Sequence, residues 1–319
     1  MSAHPAGRRH LGLDLGGTNI KWTVVEHSGD TWRTVDRGQV PTPAAGGPDA
    51  VVARLAAMAR QAFDADREVA TVGIGVPGLY DPATGITRFL PNLPGDWAGV
   101  PVAPGVGGAV GLPATLINDA RAFGLAELRL GAARGMTSMI GIVIGTGVGG
   151  VIALDGHVYH GRDGTAGELG HQTIEPEGPA CGCGSRGCLE ALTRADRIAA
   201  ACGTATAEEA VDRARSGDPR ALSGMARIGR YLGIGVANAV TVFTPDRVVI
   251  GGGVAAAGRM LLAPIEEEIR TRVRTTSVDH LRVVTAELGT WAGAIGAAVH
   301  GAERLQRAPR IVAATAGTP

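Results

Sequence analysis

The sequence predicts an α/β protein assembled from two copies of one architectural unit. Three observations carry this: segments of strand and helix periodicity alternate along the chain, a hairpin pattern recurs at a fixed offset, and glycine turns punctuate both copies. Residues 11–26 read LGLDLGGTNIKWTVVE. Period-two alternation about a Gly-Gly-Thr turn, with Ile20, Trp22 and Val24 on one face, is the pattern of a β-hairpin. Residues 140–153, IGIVIGTGVGGVIA, repeat it: Gly12 matches Gly141, Leu13 Ile142, Leu15 Ile144 and Gly16 Gly145, an offset of 129 throughout. Asp14 is matched by Val143, so a carboxylate stands at only one of the two turns.

The remaining elements follow in order. Val51, Leu55, Met58, Ala59, Ala62 and Phe63 have helical spacing, and Pro48 and Asp49 suit a helix start. Residues 71–78, TVGIGVPG, form a buried strand stopped by Pro77 and Gly78. A strand over 115–117 ends at Asn118 and Asp119, and a helix follows through Phe123, Leu125 and Leu130. Residues 222–241 are helical, with Leu222, Met225, Ile228 and Leu232 on the apolar face. A short strand over 247–250 ends in Gly251, Gly252 and Gly253. A helix over 260–273, a strand over 283–288 and an Ala-rich helix over 291–305 complete the chain, and 310–319 read as a loose tail.

At 319 residues the chain calls for two domains. The repeat divides them: a smaller domain over 1–117, and a larger one over 118–290 carrying a cysteine-rich loop and a dimer interface. Residues 291–306 are expected to pack back on the first. Thirty basic and thirty acidic side chains cancel, leaving no electrostatic footprint for nucleic acid or an anionic membrane. No apolar run is long enough for a signal peptide or a spanning helix. Three of the four cysteines are grouped, which suits a reducing compartment, and a cytoplasmic protein is expected.

The grouped cysteines lie in HQTIEPEGPACGCGSRGCLE, residues 171–190. His171, Cys181, Cys183 and Cys188 supply one imidazole and three thiols, a complete tetrahedral donor set for a structural zinc. A disulfide would strand the third thiol, and Cys-x-Cys is poorly placed to bridge itself. Cys202, in an Ala-rich stretch, reads as a small buried hydrophobe. Glycine turns let backbone N–H groups approach an anion, so Gly16-Gly17-Thr18, Gly145-Thr146-Gly147 and Gly251-Gly252-Gly253 are candidate phosphate cradles. Neither a P-loop nor a strand-associated G-x-G-x-x-G is present. Asp14 could hold Mg²⁺ beside the phosphates, or cap its turn. Asp119, at a strand end facing a cleft, could take a proton from an attacking hydroxyl, or cap the helix. Glu168 and Glu190 flank the cysteine loop and could face a polyol. Asn92 sits on the loop PNLPGDW (91–97), where Trp97 is either a sugar-facing ring or a packed anchor.

In order along the chain, DLGGTNIK (14–21), GVPG (75–78), NLPGDW (92–97), NDA (118–120), GTGVGG (145–150), AGELGH (166–171), CGCGSRGCLE (181–190) and IGGGV (250–254) resemble the ROK family. That family comprises bacterial sugar kinases and sugar-responsive repressors, and the resemblance covers about residues 11–305. The cysteine-loop motif is specific, whereas the glycine turns alone are not. Within the family, the chain is most similar to the ATP-dependent glucokinases. The resemblance implies a duplicated actin-like, ribonuclease-H-like ATPase fold whose two domains close over nucleotide and sugar. It implies phosphorylation of glucose at the 6-hydroxyl by ATP with Mg²⁺, in a homodimer or tetramer. Asp119 matches the catalytic base. Gly78, Asn92, Asn118, Glu168, His171 and Glu190 match sugar-binding positions. Asp14, Gly16, Gly17, Thr18, Asn19, Lys21, Gly145, Thr146 and Gly147 match the phosphate turns, and Gly251, Gly252 and Gly253 lie near the adenosine. Cys181, Cys183 and Cys188 match the cysteines of a structural zinc, with His171 serving both metal and sugar.

Other ROK kinases act on N-acetylglucosamine, N-acetylmannosamine, fructose or allose, so the resemblance leaves these hexoses as alternatives, along with a non-catalytic sugar sensor. A polyphosphate donor is disfavoured by the cysteine loop. After Glu190 the chain reads ALTRADRI where relatives often carry a Ser-Gly pair, which bears on the sugar side or the interface through Thr193 and Arg194. Ten residues before the first expected strand are too few for a helix-turn-helix, so DNA binding is not expected.

Overall fold

The computed structural model describes residues 7–29 and 31–307, and the tail expected over 310–319 lies outside them. Two mixed sheets of matching topology carry the chain. In the first, β1 (Arg8–Leu15) and β2 (Asn19–Ser28) form the hairpin read from residues 11–26, with Leu15 opposite Ile20 at the turn. β3 (Thr31–Pro41) pairs antiparallel with β2, and α1 (Gly47–Ala65) leads to β4 (Val69–Val76), parallel to β1. A small ribbon of β5 (Leu79–Asp81) and β6 (Ile86–Phe89) follows, then α2 (Val102–Val110). β7 (Ala114–Asn118), parallel to β4, completes the order β3-β2-β1-β4-β7.

From β7 the chain enters α3 (Asp119–Arg129) and reaches the second sheet. There β8 (Met139–Ile144), β9 (Val148–Leu154) and β10 (His157–Val158) form an antiparallel meander. α4 (Leu189–Thr193), α5 (Ala195–Cys202), α6 (Ala207–Arg215) and α7 (Pro219–Phe243) lead to β11 (Arg247–Gly251), parallel to β8. α8 (Arg259–Arg272) and β12 (Arg282–Thr285) give the order β10-β9-β8-β11-β12, the first sheet's order strand for strand. α9 (Ala292–Arg307) is last. No helix among the described residues is long and apolar enough to cross a membrane.

The burial explains why these segments fold as they do. α1 buries Val51, Leu55, Met58 and Ala59 against the first sheet, with proline in its first turn where no intrahelical N–H is needed. α7 and α8 cover one side of the second sheet around Met225, Ile228, Leu232 and Ile265, and Cys202 sits in that core. A third cluster joins the halves through Phe123 and Leu125 of α3, Met139 of β8 and Ile295 and Val299 of α9. α9 lies on β1 and β4 where Gly12 and Gly73 are in register. A Cβ on Gly12 would overlap the Ala294 carbonyl, and one on Gly73 the Ala297 carbonyl.

The structure departs from the sequence reading in detail. β3 alternates charged and polar residues and is largely exposed, so no apolar period announces it. α2 is VAPGVGGAV, a glycine-rich helix over residues where the sequence pattern announces no element. β12 stops at Thr285, three residues short, because the Glu127 carboxylate takes the Glu287 and Leu288 amides at 3.1 and 2.9 Å.

Candidate active site

A cleft of about 1010 Å³ opens between the two sheets. Asp14, Gly16, Gly17, Thr18 and Lys21 of the first hairpin line one wall, and Thr146 of the second hairpin lines another. Gly251, Gly252 and Gly253, beyond β11, close it, while Asp119 and Asn92 stand at its edge. Each hairpin is pinched by its own backbone: the Gly16 amide donates to Asn19 O at 3.1 Å and the Gly145 amide to Gly147 O at 2.8 Å. Asn19 is therefore spent partly on the turn itself. Gly252 has φ +89°, and a Cβ there would overlap the Ile144 carbonyl, so this position tolerates only glycine.

Asp14 and Asp119 are the two carboxyls of the cleft. Burial pushes Asp14 up to about 7; the negative charge of Asp119 adds to the rise and Lys21, its hairpin partner, opposes it. Burial also raises Asp119, against the Ala120 amide and the Arg121 charge, with Glu168 adding to the rise. Two carboxyls of raised proton affinity, beside glycine amides, suit a Mg²⁺ carrying several waters and polyphosphate oxygens. The helix cap is not Asp119 but Asn118, whose Oδ1 accepts from the Ala120 and Arg121 amides at 3.1 and 3.3 Å. That leaves the Asp119 carboxylate bonded at 2.8 Å to the Ala120 amide, its other oxygen free to face the cleft.

Gly78, Asn118, Glu168, His171 and Glu190 do not line that cleft but form a second cluster beside it. Arg121 organises the cluster, and nothing in the sequence pattern singled it out. The residue is 2% exposed. It donates to Asn118 Oδ1 at 2.7 Å, to Ala166 O at 3.0 and 2.7 Å, and to Glu168 Oε1 at 2.7 Å. Asn118 Nδ2 reaches Gly78 O at 3.5 Å, and Gly78 has φ +138°. Glu190, on α4, accepts from the Val148 amide at 2.9 Å and so ties the second hairpin to the cysteine loop. Thr193 Oγ1 donates to Leu189 O at 2.7 Å, and Arg194 pairs with Asp196 at 2.8 Å while staying within the field of Glu190 and Cys181. Trp97 is a packed anchor, buried in the first core with its Nε1 donating to Pro94 O at 3.2 Å.

The four donors of the cysteine loop lie within 4.8 Å of one another. Cys183 and Cys188 sulfurs are 3.7 Å apart, and Cys181 Sγ is 3.7 Å from His171 Nδ1. Zinc–sulfur bonds of about 2.3 Å at tetrahedral angles set sulfurs about 3.8 Å apart, so the residues present fit the ion. No disulfide competes, since all four cysteines are free. Isolated bridges Thr173 to Cys188 and Ala180 to Arg186 shape the loop. With Nδ1 turned to the thiols, His171 Nε2 faces Glu168 Oε2 at 3.9 Å, so one ring touches both the metal set and the carboxylate cluster.

A doubled sheet unit whose glycine hairpins confront each other is the actin-like ATPase fold, and the sequence assigns which branch. It matches the profile of the ROK family over residues 10–302, and the chain belongs to that family. It is 36% identical over 307 residues to a glucokinase of Thermotoga maritima, spanning 90% of this chain and 95% of the relative. The crystal structure of a ROK hexokinase from Thermus thermophilus superposes with a TM-score of 0.78 at 36% identity, over 93% of this chain and 99% of that one. A ROK family glucokinase from Streptomyces griseus, solved in complex with glucose and AMPPNP, gives 0.78 at 31% identity, over 92% and 99%.

Proposed function

We propose that this chain is a hexokinase-type sugar kinase that transfers the γ-phosphoryl group of ATP to the 6-hydroxyl of glucose. The observation that carries the reading is the position of Asp119, at the seam between the glycine-turn cleft and the cluster that Arg121 orders. In this reading the cleft takes ATP: amides of the two hairpins face the phosphates, and Gly251, Gly252 and Gly253 flank the adenosine. Glucose lies against Asn118, Asn92, Glu168, His171 and Glu190. The sugar oxygen bonds to the γ-phosphorus as the bridge to the β-phosphate breaks and ADP departs, while the hydroxyl proton passes to Asp119. Burial raises the affinity of that carboxyl for the proton, which suits a general base. Most of the acceleration comes from alignment and charge stabilisation. Asp14 would hold Mg²⁺, which supplies charge neutralisation on the phosphates. His171, Cys181, Cys183 and Cys188 would hold zinc, which cross-links the loop and performs no Lewis-acid chemistry.

The domains divide near Asn118 in this proposal, with α9 belonging to the first half. A homodimer in the cytoplasm is the assembly and compartment that accompany it. The test is a coupled assay for ADP release across a panel of hexoses, with Asp119→Asn beside the native protein. Glucose should give the highest kcat/KM. Asp119→Asn should lower kcat by about 10²- to 10⁴-fold, the usual share of a general base, with glucose affinity held within a few-fold. Near-normal turnover in the variant would remove Asp119 from the role, and a different best hexose would correct the substrate.

A further inference from the structure

We infer that the protein carries a second, non-catalytic anion site for a phosphate group, free or esterified, between residues 157–164 and the last turns of α9. The cavity measures about 230 Å³ and shares no lining residue with the glycine-turn cleft. Arg304 and Arg307 enter it from α9, Arg162 from the turn after β10, and His160 and His300 from facing walls. The two imidazoles stand edge to face, centroids 5.9 Å apart. Glu303 is the one acid of the lining, and Arg129 already holds it at 2.7 Å. Cations in the last turn of a helix are common because they complement its dipole, so the arginines of α9 alone would mean little. Here they share a cavity with these two imidazoles, that of His157 and a third arginine, in a chain whose charges sum to zero. Burial chiefly, and then the neighbouring positive groups, Arg304 and Arg307 among them, hold both imidazoles toward the neutral form. Arg307 approaches Glu303 at 4.0 Å and Arg162 the neighbouring Asp163 at 3.9 Å, which leaves Arg304 as the arginine of this lining with no ion pair among the described residues; its guanidinium fork with the imidazole N–H groups suits the oxygens of a phosphate.

The site backs directly onto the sugar cluster. Tyr80 lines it, and the phenol oxygen accepts from the Asn118 amide. The His160 carbonyl accepts from the Ala166 amide at 3.1 Å, and Ala166 O is gripped by the same Arg121 that holds Glu168. An anion that steadies residues 160–166 therefore bears on Glu168, and by reciprocity sugar and anion raise each other's affinity by one factor. The coupling rests on the sugar reading above; the site does not.

The experiment is a ³¹P NMR titration of the full chain with inorganic phosphate and with glucose 6-phosphate, the cleft either open or filled with glucose and a non-hydrolysable ATP analogue. Binding should persist with the cleft filled. Arg304→Glu should weaken it about tenfold or more, the factor that loss of a charge-assisted hydrogen bond implies, and His160→Gln should weaken it in the same direction. Turnover without added anion should not change in Arg304→Glu. Tighter binding of the sugar phosphate assigns the ester, and equal binding assigns free phosphate. No binding at millimolar anion with the cleft filled, or binding indifferent to Arg304→Glu, overturns the site. Failure of the kinase reading alone would abolish the coupling to glucose and leave the anion binding and its loss in Arg304→Glu intact.

Discussion

Arg121 fixes Asn118 and Glu168, two groups that face one sugar in the proposed function. A guanidinium presents several N–H donors in a planar fork, and here the acceptors lie on three different segments: Asn118, Ala166 and Glu168. A lysine at this position keeps the charge but has a single compact ammonium, which cannot satisfy all three. Arg121→Lys should therefore raise the KM for glucose about tenfold or more, corresponding to about 1.5–3 kcal/mol for hydrogen bonds to a charged group. The KM for ATP should stay near its native value, since the nucleotide wall does not depend on these bonds. Equal loss on both substrates in steady-state kinetics would make Arg121 a general scaffold residue instead. Asp14, Asp119 and the cysteines were legible because their chemistry is rare at glycine turns, strand ends and clustered thiols. Arg121 was not, because the Ala166 carbonyl and Glu168 are 45 and 47 positions away and a helical arginine reads as solvated. Trp97 was left open between sugar and core for a related reason: an aromatic on a proline-rich loop serves either, and only packing decides.

At the scale of elements, two contacts position the walls of the cleft. α9 approaches β1 and β4 so closely that Gly12 and Gly73 leave no room for a side chain. Gly73→Ala forces the methyl group against the Ala297 carbonyl, and overpacking of this kind costs about 1–3 kcal/mol. The thermal midpoint should fall. The KM for ATP should also rise, because Gly293, at the start of α9, sits against the Asp14 carboxylate, where a Cβ would be 2.5 Å from Oδ2. A variant as stable as the native protein in differential scanning calorimetry would show that helix and sheet separate without strain. The cysteine loop is the second contact. Cys183→Ser removes one of four donors, so elemental analysis should find zinc in the native protein and none in the variant, with glucose affinity weakened alongside it through His171 and Glu190. Retained glucose affinity in a zinc-free protein would separate the metal from the sugar cluster. The hairpins were legible here since their alternation is local. β3 and α2 were not: one is a polar edge strand that β2 templates, and the other a glycine-rich helix fixed by burial of Val102, Val106 and Val110.

Across the whole molecule, the repeat is what made the architecture readable, since one offset predicts two sheets of identical order. What it could not convey is how unevenly the halves bury their titratable groups, and this sets the dependence of stability on pH. His10, bonded to Thr71 at 2.8 Å under the first sheet, is pushed down to about 4 by burial, and His300 to about 3. Both histidines bind a proton more readily unfolded, near pH 6.5, than folded. Their contribution is thus intact above pH 6.5 and drains away as the pH falls toward 4, by up to about 1.4 kcal/mol per pH unit each. Asp14 works the other way. Its folded value of about 7 lies above the unfolded one near 3.8, so it destabilises the fold fully above pH 7 and progressively less on acidification. In the absence of Mg²⁺ and nucleotide, the terms oppose each other between pH 7 and 4, and the native protein should show a shallow profile there. Asp14→Asn removes the opposing term. It should be more stable than the native protein at pH 8 by about 1–3 kcal/mol, a figure kept below the full shift because the carboxyl opens onto the cleft. That advantage should shrink steadily toward pH 5 while catalytic activity is lost. Denaturant melts at pH 8, 6.5 and 5 decide the matter: an advantage that stays constant with pH would mean Asp14 is ionised throughout and its burial costs the fold nothing.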